Sequence, residues 1–146
     1  MDARTRQDLE TDWRGLGFFY DRDDSSKEWR IVGSRTGLMR FAHLLGAYAL
    51  NSANDGTSEH AHYGPYQYLE FMTWPETGID GHAIFGPLRA FEALAQTVEN
   101  KVHAIKPGER AQINQEFSDR AEYTIVLEMR DHDFDPASAD PALVIG

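Results

Sequence analysis

The sequence predicts an α+β fold, a two-layer sandwich with two helices on one face of a mainly antiparallel sheet, in the order ββα-ββα-ββ. Several short segments alternate apolar and polar residues, which is the pattern of a half-buried strand. Two longer segments repeat apolar residues every three or four positions, which indicates amphipathic helices. The 146 residues are 41% apolar and 12% aromatic. That is enough to bury a core, so we expect residues 1–146 to form a single domain.

The first hairpin follows a charged N-terminal segment, residues 1–12, which we expect to be loosely ordered. Apolar residues alternate from Leu16 through Tyr20, the polar run 21–26 predicts a turn, and residues 29–33 predict the returning strand. A helix from about residue 37 to 50 comes next, and Ser34 or Thr36 can cap it. Its apolar stripe consists of Leu38, Phe41, Ala42, Leu45, Tyr48 and Ala49.

The second hairpin and helix repeat this order. Residues 66–74 and 82–86 predict strands that are joined by a Pro- and Gly-containing turn. Pro87 fits the first turn of the second helix, where its missing N–H costs nothing. The helix stripe comprises Leu88, Phe91, Leu94, Ala95, Val98 and Val102.

The last third of the chain predicts two more strands. Residues 111–117 have a weak pattern that favours an edge strand, and residues 123–129 have a strong pattern that favours a central one. We expect the acidic tail, residues 131–146, to be ordered only where it docks.

A short internal echo links the two halves of the chain. Residues Ile31-Val32-Gly33 precede Leu38-x-x-Phe41, and Ile84-Phe85-Gly86 precede Leu88-x-x-Phe91. Aligned in this way, the copies differ in length by three residues. The echo makes a duplication plausible.

Composition excludes several classes of protein. There is no cysteine, so neither a disulfide nor a cysteine zinc site can form. No apolar stretch approaches the length of a membrane span, and the charged N-terminus does not look like a signal peptide, so we expect a cytoplasmic protein. The formal net charge of −10, with scattered arginines, disfavours nucleic-acid binding. The same acidity fits either solubility or a basic protein partner.

The segment 58–70 is the candidate site, because it concentrates imidazole and phenol groups. His60 and His62 point to the same side if the segment is extended. Two imidazoles can bind zinc or another divalent metal, but a third ligand is needed, and His82 or Glu70 would have to supply it. The alternatives are partner or ligand recognition, in which Glu59 would also take part, and ordinary surface histidines without a cofactor.

An aromatic cluster accompanies the histidines: Tyr63, Tyr66, Tyr68 and Trp74. If Leu69 and Phe71 face the helices, Tyr66, Tyr68 and Trp74 share the other face of their strand. Exposed, that face would be a binding surface for a protein partner or for a second copy in a homodimer. Buried, it would be the second side of a strand packed on both faces.

No catalytic motif is present in the chain. There is no Gly-x-Ser-x-Gly elbow, no glycine-rich phosphate loop and no thiol. The sequence therefore favours a non-enzymatic protein.

The strand Trp29–Ser34, the helical Leu38-x-x-Phe41 and the element Glu59-His60-Ala61-His62 resemble a pattern found in certain bacterial immunity proteins of polymorphic toxin systems. The resemblance spans residues 29–74. It implies a protein-binding domain that inhibits a toxin, and a basic toxin domain would complement the acidic chain. It also implies that His60 and His62 are site positions. The alternative function is a small-molecule or metal-binding domain that uses the same region.

Overall fold

The computed structural model describes residues 1–144, which form four helices and eight strands. The helices are α1 (Ala3–Leu16), α2 (Arg35–Leu50), α3 (Leu88–Ala104) and α4 (Pro141–Val144). The strands are β1 (Phe19–Asp23), β2 (Glu28–Gly33), β3 (His60–Tyr63), β4 (Leu69–Thr73), β5 (Gly78–Ile79), β6 (Ile84–Gly86), β7 (Arg110–Ile113) and β8 (Thr124–Met129).

The strands form two mixed sheets of four strands, with the orders β1-β2-β8-β7 and β3-β4-β6-β5. In each sheet the central pair is parallel and each edge strand is antiparallel to its neighbour. The predicted α+β class is confirmed, whereas the single, mainly antiparallel sheet with two helices is wrong. Each parallel pair joins hairpins that are distant in sequence, and such pairing leaves no local pattern.

The two sheets are built from two similar halves, β1-β2-α2-β3-β4 and β5-β6-α3-β7-β8. Each sheet combines the first hairpin of one half with the last hairpin of the other. Equivalent backbone hydrogen bonds recur at the junctions: Arg130 N–H donates to the Gly33 carbonyl at 2.8 Å, and Trp74 N–H donates to the Gly86 carbonyl at 3.0 Å. The halves are therefore related by an internal pseudo-twofold arrangement.

This arrangement changes the alignment of the echo seen in the sequence. Gly33 and Gly86 occupy equivalent positions at the ends of parallel central strands. Leu38 lies as far beyond Gly33 as Phe91 lies beyond Gly86, so Leu38 matches Phe91 and not Leu88. The two strand-to-helix junctions thus have no length difference.

Helices α2 and α3 lie antiparallel. Arg35, at the start of α2, donates to the carbonyl of Ile105 at 2.8 Å, just beyond the end of α3. At the other end of the pair, the ring centroids of Tyr48 and Phe91 are 4.7 Å apart.

The two helices begin differently. Ser34 caps α2 as predicted, since the Gly37 N–H donates to its Oγ at 3.1 Å. Pro87 occupies the N-cap position of α3 and provides no side-chain cap.

One hydrophobic core joins the helix pair to the inner faces of both sheets. Its largest fully buried side chains include Phe41, Leu45, Phe91, Trp29, Ile31, Leu69, Phe71 and Ile84. Strand β8 is central and β7 lies at an edge, as the patterns of these segments predicted.

The N-terminal segment is ordered as a helix, contrary to expectation. Leu16, predicted to begin a strand, is the last residue of α1, and Gly17 ends the helix with a left-handed φ of 93°. The helix is mostly polar, but Trp13 is only 1% exposed. A single buried residue, flanked by the half-buried Leu9, gives too thin a stripe for a sequence pattern to reveal.

The acidic tail is ordered where it docks, as far as it is described. Pro136, Ala137, Asp140 and Leu143 are buried, and residues 145–146 lie outside the described part of the chain. The segment from Pro136 packs against α1 and β1. The N-terminal helix and the segment from Pro136 to Ala139 therefore meet beside the first sheet.

Candidate functional site

The predicted histidine pair lies on β3, an edge strand of the second sheet. Both imidazoles are exposed, and their ring centroids are 5.2 Å apart. His60 Nδ1 is 3.0 Å from the Ser58 carbonyl, and His62 Nδ1 is 3.1 Å from the Gln67 carbonyl. A carbonyl only accepts, so each Nδ1 carries a proton, and in the neutral ring Nε2 is the acceptor.

Glu70 is the register partner of His62, and one of its carboxylate oxygens lies 3.6 Å from His62 Nδ1. His82 does not join this group. It lies in the turn between β5 and β6, while β3 is at the opposite edge of the sheet. Within residues 1–144 no three His, Asp or Glu side chains are close enough to hold a metal ion. The metal set His60, His62 and His82 is therefore not assembled.

Tyr63, a predicted site residue, packs against the core and is partly buried. Its ring centroid is 4.6 Å from that of Phe71, and burial raises the pKa of Tyr63 to about 12. Leu69 and Phe71 are fully buried, which confirms that this side of β4 faces inward. Glu59 keeps an exposed side chain, while its carbonyl accepts the Tyr48 hydroxyl at 2.9 Å.

Tyr66, Tyr68 and Trp74 are exposed by 44%, 69% and 39%. Tyr66 does not share the strand face of β4 as predicted, because it lies in a 3-10 turn, Pro65–Gln67, with a left-handed φ of 68°. Its ring stacks on Tyr68, with centroids 5.9 Å apart and planes 24° apart. A left-handed conformation is costly for a bulky residue, so its surroundings must hold it in place.

The Tyr20 hydroxyl helps to fix Tyr66 in this conformation by bonding to the backbone on both sides of it. It donates to the Pro65 carbonyl at 2.8 Å and accepts the Tyr68 N–H at 3.0 Å. Burial raises the pKa of Tyr20, which keeps the hydroxyl protonated for this role. The core of the first sheet therefore fixes the turn that presents Tyr66 and Tyr68.

The outer face of the second sheet is more open than its counterpart in the first sheet. Met72 and Phe85 are register partners on this face, and both are partly exposed. By the pseudo-twofold their equivalents are Glu128 and Val32, which are only 9% and 4% exposed. We call the open side the outer patch, consisting of His60, His62, Glu70, Met72 and Phe85, with Tyr68 and Trp74 at the two ends of β4.

The Tyr66–Tyr68 pair also lines a cavity of about 390 Å³. It opens between the edge of β1, the turn at Tyr66, and the docked C-terminal segment. Its lining residues are Trp13, Phe19, Tyr20, Asp21, Arg22, Trp29, Tyr66, Tyr68, Asp140 and Pro141. Most of this lining consists of aromatic rings, and sequence reasoning identified only Tyr66 and Tyr68 of the set.

Asp140 is the buried polar group of the cavity, with 4% of its surface exposed. Its Oδ2 accepts the Trp13 indole N–H at 2.8 Å and the Tyr66 hydroxyl at 2.7 Å. Its Oδ1 accepts the Ala142 N–H at 2.9 Å. Burial, and then the bond to Asp140, raise the pKa of Tyr66 to about 12. The ring of Tyr66 is exposed while its hydroxyl end points inward.

The charges around the cavity are unequally matched. Asp21 is paired with Arg30, and Arg22 is paired with Asp24 while also donating to the Gly81 carbonyl. Asp140, in contrast, accepts only from neutral donors within the described residues. Two carboxylates line the cavity, Asp21 and Asp140. Among the described residues, only Asp140 of these two has no cationic partner.

No signal in the sequence could have joined these groups, because Trp13 and Asp140 are separated by 127 positions. No helix in the described part of the chain is long and apolar enough to cross a membrane. The chain matches no protein-family profile, no curated protein and no solved structure.

Proposed function

We propose that this chain is a non-enzymatic protein-binding domain, and that its concrete role is that of an immunity-type inhibitor of a basic toxin domain. The observation that carries the proposal is the outer patch. Its apolar residues Met72 and Phe85 are partly exposed on the second sheet, whereas their equivalents on the first sheet, Glu128 and Val32, are buried.

The composition of the patch fits a protein interface. Tyr68 and Trp74 are aromatic side chains of the kind enriched at interfaces, and Met72 and Phe85 supply apolar surface between them. Aromatic side chains also supply a large share of the residues that dominate binding energy. The net charge of −10 would attract and orient a partner rich in lysine and arginine.

The pseudo-twofold supplies matched controls for a direct test. Wild type and the variants His62→Ala and Trp74→Ala serve as baits in an affinity purification that is read by mass spectrometry. Gln112→Ala and Arg130→Ala are the control baits, because these residues occupy the equivalent positions on the first sheet.

The expected result is one stoichiometric basic partner that is retained by wild type and both controls, lost with the patch variants, and weakened by salt. Purified partner and bait then have to form the same complex. If the patch variants and the control variants retain the partner equally, the outer patch is not the binding surface. Sedimentation of the isolated protein tests the homodimer alternative, which requires a mass of twice 16.6 kDa.

A second candidate, small-molecule binding, is favoured by the cavity beside Tyr66. A volume of about 390 Å³ with aromatic walls and one buried carboxylate suits a compact ligand. The metal version of this alternative has no three-ligand set among residues 1–144 to support it.

A further inference from the structure

We infer that the cavity beside Tyr66 is a receptor for a lysine side chain of the protein partner, with Asp140 as counter-ion and the aromatic rings as walls. The source of the lysine rests on the proposed function. The recognition of an ammonium group rests on the cavity alone.

The walls fit a cation. Trp13, Tyr20, Tyr66 and Tyr68 line the same cavity; Trp13 packs edge to face on Tyr66, with ring centroids 6.3 Å apart, and Tyr66 stacks on Tyr68. The faces of such rings attract cations, and the attraction grows when the cation is removed from water. The apolar rings would also cover the methylene stem of a long side chain.

The buried carboxylate supplies the missing charge. Asp140 is only 4% exposed, and a carboxylate buried to that extent normally has a cationic partner, because neutral donors compensate only part of its lost hydration. The other charged residues of the cavity already have oppositely charged partners: Asp21 pairs with Arg30, and Arg22 pairs with Asp24. An incoming cation would complete the set.

The hydrogen bonds already made by Asp140 favour lysine over arginine. A carboxylate has about two acceptor positions on each oxygen. Both positions of Oδ2 are taken, by Trp13 and Tyr66, and one position of Oδ1 is taken by Ala142. A guanidinium that binds in bidentate fashion needs one acceptor on each oxygen, whereas an ammonium needs only one.

The test uses the whole protein and small probes, so it does not depend on finding the partner. The first probe is lysine blocked at both backbone ends, and the second is its Nε-acetyl form, which has the same stem without the charge. Blocked arginine and free lysine are the third and fourth. The readout is the NMR shift of the indole N–H of Trp13, with Trp74, outside the cavity lining, as an internal reference.

We expect blocked lysine to shift the Trp13 signal saturably, with affinity on the order of millimolar for so small a probe. Acetylation should weaken binding at least tenfold, and blocked arginine should bind several-fold more weakly than blocked lysine. Tyr68→Ala, an exposed wall residue whose loss spares the core, should weaken binding several-fold. Asp140→Asn should abolish it, and the Tyr68 variant preserves the test if that variant does not fold.

Equal binding of lysine and its acetyl form would overturn the inference, as would no binding of any probe. Tighter binding of free lysine than of the blocked form would indicate that the natural ligand is a small-molecule amine, and it would overturn the proposal that the ligand is a lysine side chain of the partner. Loss of partner capture by His62→Ala and Trp74→Ala, whose residues do not line the cavity, with intact probe binding would leave the cavity assignment standing, so the two proposals fail separately.

Discussion

Ser58 and Gly108 occupy equivalent positions in the two halves of the chain, and both adopt a left-handed backbone, with φ of 76° and 91°. Each precedes a glutamate at the start of an edge strand. Each also donates its N–H to a central strand, Ser58 to Thr73 at 2.9 Å and Gly108 to Met129 at 2.8 Å. The conformation is thus required by the fold, and the residue types differ only in how easily they adopt it.

Substitution at these two positions should have opposite effects on stability. A Cβ at Gly108 would have no heavy atom within 4 Å, so Gly108→Ala should lower the free energy of unfolding by about 1 kcal/mol through backbone strain alone. Ser58→Gly should raise it by about 0.5 kcal/mol, because relief of strain exceeds the added entropy of the unfolded chain. Urea unfolding measures both changes. Destabilisation by Ser58→Gly would contradict the equivalence.

The bond between Trp13 and Asp140 should matter more than a similar bond to a neutral acceptor. Trp13→Phe removes an N–H from a buried carboxylate, and we expect a loss of about 2–3 kcal/mol. Trp29→Phe is the matched control, since its indole donates to the neutral Asp80 carbonyl at 2.8 Å, and it should cost about 1 kcal/mol for that bond. Equal losses in thermal unfolding would contradict a stronger bond to the carboxylate than to the carbonyl.

Tyr66 and Tyr63 should respond differently to neutralisation of Asp140. Burial raises the pKa of both tyrosines; Asp140 raises that of Tyr66 further, and Tyr48 raises that of Tyr63 further. In Asp140→Asn the pKa of Tyr66 should fall from about 12 towards its ordinary value, and that of Tyr63 should stay at about 12. NMR titration of ring-labelled tyrosine distinguishes the two. A parallel fall of both values would indicate general loosening of the fold instead.

Stability should decline in strong alkali because of Tyr63. Its pKa is about 12 in the folded protein and 10.0 when unperturbed, so the folded state holds the proton more tightly. The contribution is complete below pH 10 and is lost as the pH rises towards 12; because solvent screens the partly exposed ring, its size is on the order of 1 kcal/mol. Urea unfolding at several pH values should show a shallower decline for Tyr63→Phe than for wild type. Identical slopes would remove Tyr63 as a cause.

Two glycines of α2 should tolerate alanine very differently. A Cβ at Gly37 would clash with the Gly17 carbonyl oxygen, a backbone atom that cannot rotate away, so Gly37→Ala should cost about 1–3 kcal/mol. A Cβ at Gly46 would make an ordinary contact of 3.9 Å with Ala95, and Gly46→Ala should stabilise the helix by about 0.5–1 kcal/mol. Denaturant midpoints of the two variants provide the comparison.

Local patterns predicted the parts of the fold that depend on periodicity. The stripe from Leu38 to Tyr48 marked α2, and the alternation around Leu69 and Phe71 marked the inward side of β4. Local patterns could not predict which hairpins pair with each other. The parallel pair of β2 and β8 is not connected by a turn, so no turn sequence marks it. The helix α1 was missed because Trp13 alone provides most of its buried surface.

For the candidate site, the sequence left open whether the face with Tyr68 and Trp74 is exposed or buried. In the structure both side chains are exposed, as are His60 and His62. The cavity depends on Asp140, which lies in the acidic tail and was not predicted as a site residue. Only the docking of that tail against α1 turns the aspartate inward, and docking is decided by tertiary packing.

Because each half of the chain supplies one hairpin to each sheet, neither half contains a complete sheet. The topology is that of a strand-exchanged dimer joined into one polypeptide by the short connection between Trp74 and Gly78. A chain of half this length would leave its hairpins without parallel neighbours and would have to associate with a second copy. Cleavage of that connection would accordingly produce two fragments, and each fragment would need the hairpins of the other to complete its sheets.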